Sequence, residues 1–316
     1  MSLILIDAAT KHEIYVIMKR SKGEISMKDY IIMTDSSCDL PARLADEMAL
    51  TVLPLSVYIE DTKYVNYLDE REIAFSELYA KLRTKCPAKT SAINMNDFLT
   101  PMDEILRSGR DILYIGFSSG LSGTYNAGAA AAQEMAEKYP ERKVYAVDSL
   151  CASMGQGLLV YHAWKHKQAG ESIEQVRDWV LDNRLHLCHY FTIDDLMFLK
   201  RGGRVSGATA VVGSMLSIKP IMHVDNEGHL IKIGTARGRK ASIRALADGA
   251  GKLGIDLENQ VIFISHGDCL EEAKYLAGIM RERFHVKDVV ISYVGPVIGA
   301  HSGPGTIALF FLGTER

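Results

Sequence analysis

Ile112-Leu-Tyr-Ile-Gly-Phe-Ser118-Ser119-Gly120-Leu-Ser122-Gly123-Thr124-Tyr-Asn126 is the stretch whose reading decides the fold. A short apolar run enters a Ser/Gly loop, and an alanine-rich segment at 127–138 follows with helical character. Strand, tight loop and helix in that order belong to an α/β chain with crossover connections. The N-terminus of the following helix offers free backbone N–H groups and a positive dipole end, which suits an anion. Hydroxyls at Ser119, Ser122 and Thr124 add donors, and the glycines let backbone approach a ligand closely. A serine-capped turn with no ligand is the competing reading of the loop taken alone. No lysine follows in Walker A position and no GxGxxG occurs, so the sequence shows no nucleotide site of its own.

The same alternation extends outward. Short apolar runs at 31–34, 51–57, 112–117, 144–147, 261–264 and 289–294 read as strands. Between them lie amphipathic stretches with helix-start signals, Asp69-Glu-Arg-Glu72 and Ser172-Ile-Glu-Gln175, both of capping-box character. Asp225-Asn-Glu-Gly228 separates two apolar runs as a hairpin turn, so the second half should mix antiparallel strands with helices. These signals predict two α/β domains. The first, 27–184, has a mainly parallel sheet with flanking helices, and the second, 185–316, is mixed α/β. Residues 1–26 read as an extension, with Met27-Lys-Asp-Tyr as a fresh start.

A length of 316 residues suits two domains, and 47% hydrophobic with 24% charged residues is an ordinary globular composition. A net charge of −3 gives no electrostatic case for nucleic acid. No run of about 18 apolar residues is present to span a bilayer, and Asp7 interrupts the only signal-peptide candidate. The five cysteines are scattered without a CxxC pair, as expected of reduced thiols in a cytoplasmic protein.

Other loops carry candidate chemistry. Lys89-Thr90-Ser91-Ala-Ile-Asn94 presents hydroxyls before a helix capped at Asn94 or Asn96. Leu199-Lys-Arg-Gly-Gly-Arg204-Val-Ser206-Gly207 and Thr235-Ala-Arg237-Gly-Arg-Lys240 set basic residues beside glycines, which suits an anion or a solvated helix end. Gly295-Pro-Val-Ile-Gly-Ala-His301-Ser-Gly-Pro-Gly305 packs glycines and prolines around one histidine, and this constraint favours a site role for His301. His162 and His166 share a helix face without the HExxH glutamate, so no metal site is expected. His186 and His189 flank Cys188 without completing a ligand set. His266 and Asp268 lie just past a strand end, where capping and a site role are both open. Gly116–Gly120 is a literal G-x-S-x-G, and Asp268 and His301 follow in hydrolase order. A serine hydrolase or thioesterase using Ser118 is therefore a rival. It is weakened by the missing HGGG-type segment and by a helix that begins only after Ser122.

Taken in order, Thr34-Asp-Ser36, Thr90-Ser91, Ser118–Tyr125, Asp148-Ser149, Lys200–Ser206, Lys219-Pro220, Arg237 and Gly295-Pro296…His301…Gly303-Pro-Gly305 resemble the DegV family of bacterial fatty-acid-binding proteins. The resemblance implies an acyl tunnel with the carboxylate near the domain junction. It also implies a lipid-carrying subunit of fatty acid kinase, with no catalysis of its own and no cofactor. A separate kinase would use ATP to make an acyl-phosphate for phospholipid synthesis. Carried onto this chain, Thr90, Ser91, Ser119, Ser122 and His301 would bind the carboxylate. Arg204 and Arg237 would assist phosphate transfer or docking. Loading would involve transient contact with a membrane surface. A carrier or sensor without a kinase partner is the alternative within the same resemblance. Where relatives often read Thr-Ser-Gln-Pro-Ser, this chain has Thr90-Ser-Ala-Ile-Asn94, which keeps the leading hydroxyls. About fifteen buried methylenes, at roughly 0.8 kcal/mol each, offer on the order of 12 kcal/mol before ordering costs. The carboxylate must then be hydrogen-bonded to stay ionised.

Overall fold

The computed structural model describes residues 29–205 and 217–316, so the extension at 1–26 and Ser206-Gly207 of the basic motif lie outside the described residues. In chain order the elements begin β1 (Tyr30–Asp35), α1 (Ala42–Glu47), β2 (Thr51–Leu53), β3 (Ser56–Ile59), β4 (Thr62–Val65), α2 (Phe75–Arg83) and β5 (Ala88–Ser91). They continue with α3 (Met95–Arg107), β6 (Asp111–Gly116), α4 (Thr124–Lys138), β7 (Val144–Asp148), α5 (Met154–Gln168) and α6 (Ile173–Asn183). Next come β8 (Leu187–Thr192), α7 (Met197–Gly202), β9 (Ile218–Val224), β10 (Leu230–Arg237) and α8 (Arg239–Leu253). The chain closes with β11 (Val261–His266), α9 (Leu270–Phe284), β12 (Asp288–Tyr293), α10 (Pro296–Ser302) and β13 (Ile307–Leu312).

These build an α/β fold on three sheets. The first has order β2-β1-β6-β7 and is parallel throughout. Its central strands β1 and β6 are buried along their whole length, as parallel strands covered on both faces must be. A small antiparallel sheet, β4-β3-β5, stands beside it. The third sheet, β10-β9-β8-β13-β11-β12, is mixed, with β11 and β12 parallel and its other pairs antiparallel. In the first sheet the chain leaves β1 for β2 on one side and later places β6 on the other. The carboxyl ends of β1 and β6 flank a topological switch point, where open α/β sheets form their binding crevices.

One helix joins the parallel and mixed sheets. α5 is buried from Met154 through Val160 without a break and packs against strands of both. A helix whose first turns are buried on every side belongs between two layers of a structure. Gly155 makes this approach feasible, because a Cβ there would stand 2.1 Å from His189 Nε2 on β8. α10, late in sequence, packs back onto β3, β5 and α2. Strands β1–β7 lie in two sheets and β8–β13 in the third, and one core packs residues of both sets together.

Two expectations are corrected. The apolar run at 51–57 is two strands, because Pro54 interrupts the ladder between β2 and β3. Asp69–Glu72 does not cap a helix. Asp69 instead holds Arg71, Glu72 accepts the Val65 N–H at 2.9 Å, and α2 starts only at Phe75, whose N–H goes to Glu70 at 2.7 Å. The capping boxes at Ser172–Gln175 and Asn94–Asp97 are formed.

Candidate functional site

A cavity of about 940 Å³, counting its open mouth, lies where the three sheets meet. Its walls are largely apolar. Phe117, Leu121 and Ala152 form a small buried cluster of their own, with Leu230 and Ile298 packed against it, and all five line the cavity. These apolar groups face a space that no described side chain fills. Phe191, Ala308 and Phe310 continue the wall from the mixed sheet.

Polar groups from distant segments converge on this space. Thr90 and Ser91 come from β5, held in register by Val57 and Ser56 of β3. His301 comes from the last turn of α10. Its Nε2 shares a hydrogen bond of 2.8 Å with Thr90 Oγ1, joining residues 211 positions apart. The other face of the imidazole meets the end of α7, where a Cβ on Gly202 would stand 2.3 Å from Nδ1. Burial, and then the nearby Arg204 guanidinium, push the His301 imidazole down to about 4. It is neutral at physiological pH, able to give or take a hydrogen bond without adding charge.

Ser122 precedes α4. Its Oγ lies 2.9 Å from Thr124 Oγ1 and accepts the Thr124 N–H at 3.2 Å. Among the described residues of the cavity lining, Arg204 is the charged side chain. It donates from Nε to the Leu121 carbonyl at 3.3 Å and from Nη1 to the Gly202 carbonyl, linking the α4 loop to α7. Hydroxyls, a neutral imidazole, a helix N-terminus and one guanidinium together can hold a carboxylate in its ionised form.

The loop itself is fixed from below. Asp35, fully buried at the end of β1, accepts from the Phe117 N–H at 2.9 Å, the Tyr114 hydroxyl at 3.1 Å and the Ser37 N–H at 3.1 Å. Asp148 at the end of β7 accepts the amides of Ser119 and Leu150, at 3.2 and 3.0 Å.

Of the expected site residues, Thr90, Ser91, Ser122, Arg204 and His301 line one cavity. Ser119 does not. It is exposed and contributes its amide to Asp148, because the loop turns its side chain outward. Arg237 stands exposed at the end of β10, away from the cavity lining. The hydrolase arrangement is not assembled. Ser118 is fully buried and donates to the Gly228 carbonyl at 2.9 Å, while Asp268 is bound to Arg83 and the Tyr293 hydroxyl. His301 is engaged with Thr90 instead. Among the described residues, no group of His, Cys, Asp or Glu is placed to hold a metal ion, and no helix is long and apolar enough to cross a membrane.

Sequence reasoning missed His189, Ser153 and Ser265, all in the lining. His189 Nδ1 lies 3.1 Å from the Leu187 carbonyl, and Nε2 accepts the Ala152 N–H at 3.3 Å. Burial, followed by the Arg316 cation, holds its imidazole well below the ordinary range. The period-2 pattern of Leu187-Cys-His-Tyr-Phe191 carried the signal, since it sets His189 on the face of Phe191. Ser153 has φ 52° and ψ −145°, a backbone state that costs a side-chain-bearing residue about 1–3 kcal/mol.

Comparison with known proteins finds relatives of the same fold. Residues 30–314 match the profile of the DegV family, described as uncharacterised. A DegV domain-containing protein of Clostridium perfringens is 44% identical over 290 residues, covering 92% of this chain and 99% of that protein. A DegV family protein of Thermus thermophilus, whose structure is described as showing fatty acid binding, superposes with a TM-score of 0.81 at 28% identity, covering 90% and 99% of the two chains. A DegV lipid-binding protein of Thermotoga maritima gives a TM-score of 0.80 at 28% identity, covering 91% and 99%.

Proposed function

The chain belongs to the DegV family, and on that premise we propose that it binds a long-chain fatty acid in this cavity and presents the carboxylate to a partner kinase. The observation that carries the reading is the Thr90–His301 hydrogen bond at the edge of an apolar space beside Ser122 and Arg204. The acyl chain takes the space bounded by Phe117, Leu121, Phe191 and Phe310, where each buried methylene contributes roughly 0.8 kcal/mol. The carboxylate is held by Thr90, Ser91, Ser122 and His301. Neutral donors leave its oxygens basic enough to attack a phosphoryl group, and Arg204 offsets the charge that develops. Arg237, exposed and outside the cavity, is assigned to docking. Catalysis belongs to the partner, which supplies ATP, and the protein acts in the cytoplasm with brief contact with membranes for loading.

The test has two arms. Labelled palmitate or oleate should bind the purified protein, and a protein that takes up neither removes the reading. Acyl-phosphate should then form only when a kinase subunit and ATP are added. Arg204→Ala should keep its lipid and lose turnover, and equal turnover would take Arg204 out of the transfer step.

A further inference from the structure

We propose that the wall of the acyl channel carries a second, polar subsite at Ser265 that holds a hydroxyl group on the hydrocarbon chain, so that the ligand class includes hydroxylated long-chain fatty acids. This rests on reading the cavity as a fatty-acid site. On β11, Ser265 pairs with Ala308 of β13, which pairs in turn with Phe191 of β8. Residues opposite each other in this way share a sheet face, and all three line the cavity. Phe263, two residues back and on the same face, belongs to the core around α5, whereas Ile264 faces the opposite core.

Ser265 is joined to a buried relay. Its Oγ lies 3.1 Å from Ser153 Oγ at the foot of α5, and Ser153 donates to Asp39 Oδ2 at 2.6 Å. All three residues are buried. The one hydroxyl hydrogen of Ser153 is used on Asp39, so the contact between the serines uses the hydrogen of Ser265. Ser265 Oγ then retains acceptor capacity beside the cavity. If the proton resides on Asp39 and the relay reverses, Ser265 retains its hydrogen instead. A ligand hydroxyl satisfies both arrangements, because it donates and accepts. A methylene chain satisfies neither. Ser153 also holds its strained backbone where its hydroxyl makes both contacts. The relay thus places polar capacity, beside His189, in a wall otherwise built from Phe191, Ala308 and Phe310.

The experiment titrates wild-type and Ser265→Ala protein with stearate and with hydroxystearates that differ in hydroxyl position. One position should bind wild type at least as well as stearate and about tenfold better than distant positions, the worth of one hydrogen bond. Ser265→Ala should gain affinity for stearate while its preference for that hydroxystearate, relative to stearate, falls about tenfold. A profile in which every hydroxyl is penalised while stearate binds overturns the subsite and leaves the fatty-acid reading standing. Binding of neither class removes both. Should Ser265→Ala not fold, the positional scan of the wild type decides alone.

Discussion

Thr90 and His301 reach the same point from β5 and α10, and each leaves the other short of a partner when it is removed. Thr90→Ala should weaken fatty-acid binding by about 10- to 150-fold, the range for a hydrogen bond to a charged group, measured by titration with labelled palmitate. Unchanged affinity would place the carboxylate elsewhere. Ser118 predicts the opposite pattern. Ser118→Ala should leave the buried Gly228 carbonyl unpaired and cost about 1–3 kcal/mol in thermal or denaturant unfolding. The wild-type serine should resist fluorophosphonate, and labelling of Ser118 would restore the hydrolase reading. His301 was legible in the sequence because glycines and prolines crowd it. His189 was legible only through the period-2 pattern of its strand, which sets it on the face of Phe191, because a lone histidine beside a cysteine carries no motif of its own.

At the scale of elements, the site depends on how closely short helices approach it. Gly202 ends α7 against the His301 ring, so Gly202→Ala must displace either the helix end or the imidazole. Lipid affinity should fall, and a far-ultraviolet spectrum like that of the wild type would separate this from unfolding. Wild-type affinity in this variant would show that α7 does not fix His301. The strand–loop–helix stretch from Ile112 gave the architecture of the parallel sheet directly, since apolar runs buried on both faces stand out. The split at Pro54 and the late start of α2 were less legible. In both places a local signal competes with pairing and packing contributed by residues far along the chain. The cavity wall was invisible for the same reason, since Phe117, Leu230 and Ile298 look like core residues until the space they enclose is seen.

Over the whole molecule, buried titratable groups set opposing pH limits. His162, His266 and His301 are each pushed down to about 4, chiefly by burial. Their unfolded forms take up protons below about 6.5 while the folded forms do not, so stability is lost as pH falls from about 6.5 toward 4. Asp39 behaves in the reverse sense. Burial raises its carboxyl to about 8, so the folded protein keeps a proton that the unfolded chain has released. Its contribution is lost as pH rises toward 8. With His189 and His223 also lowered by burial and Asp35 also raised, the histidines outweigh the two aspartates on the acid side, so thermal stability should peak near neutral pH, and Asp39→Asn should flatten the alkaline limb. An alkaline limb unchanged by that substitution would remove Asp39 from this balance. The central claim, a dry channel ending at Thr90, Ser122 and His301, is tested most directly by denaturing the purified protein and weighing what it releases. The account predicts close to one fatty acid per chain by mass spectrometry. A protein that releases none, and stays empty after incubation with oleate or palmitate, would contradict it.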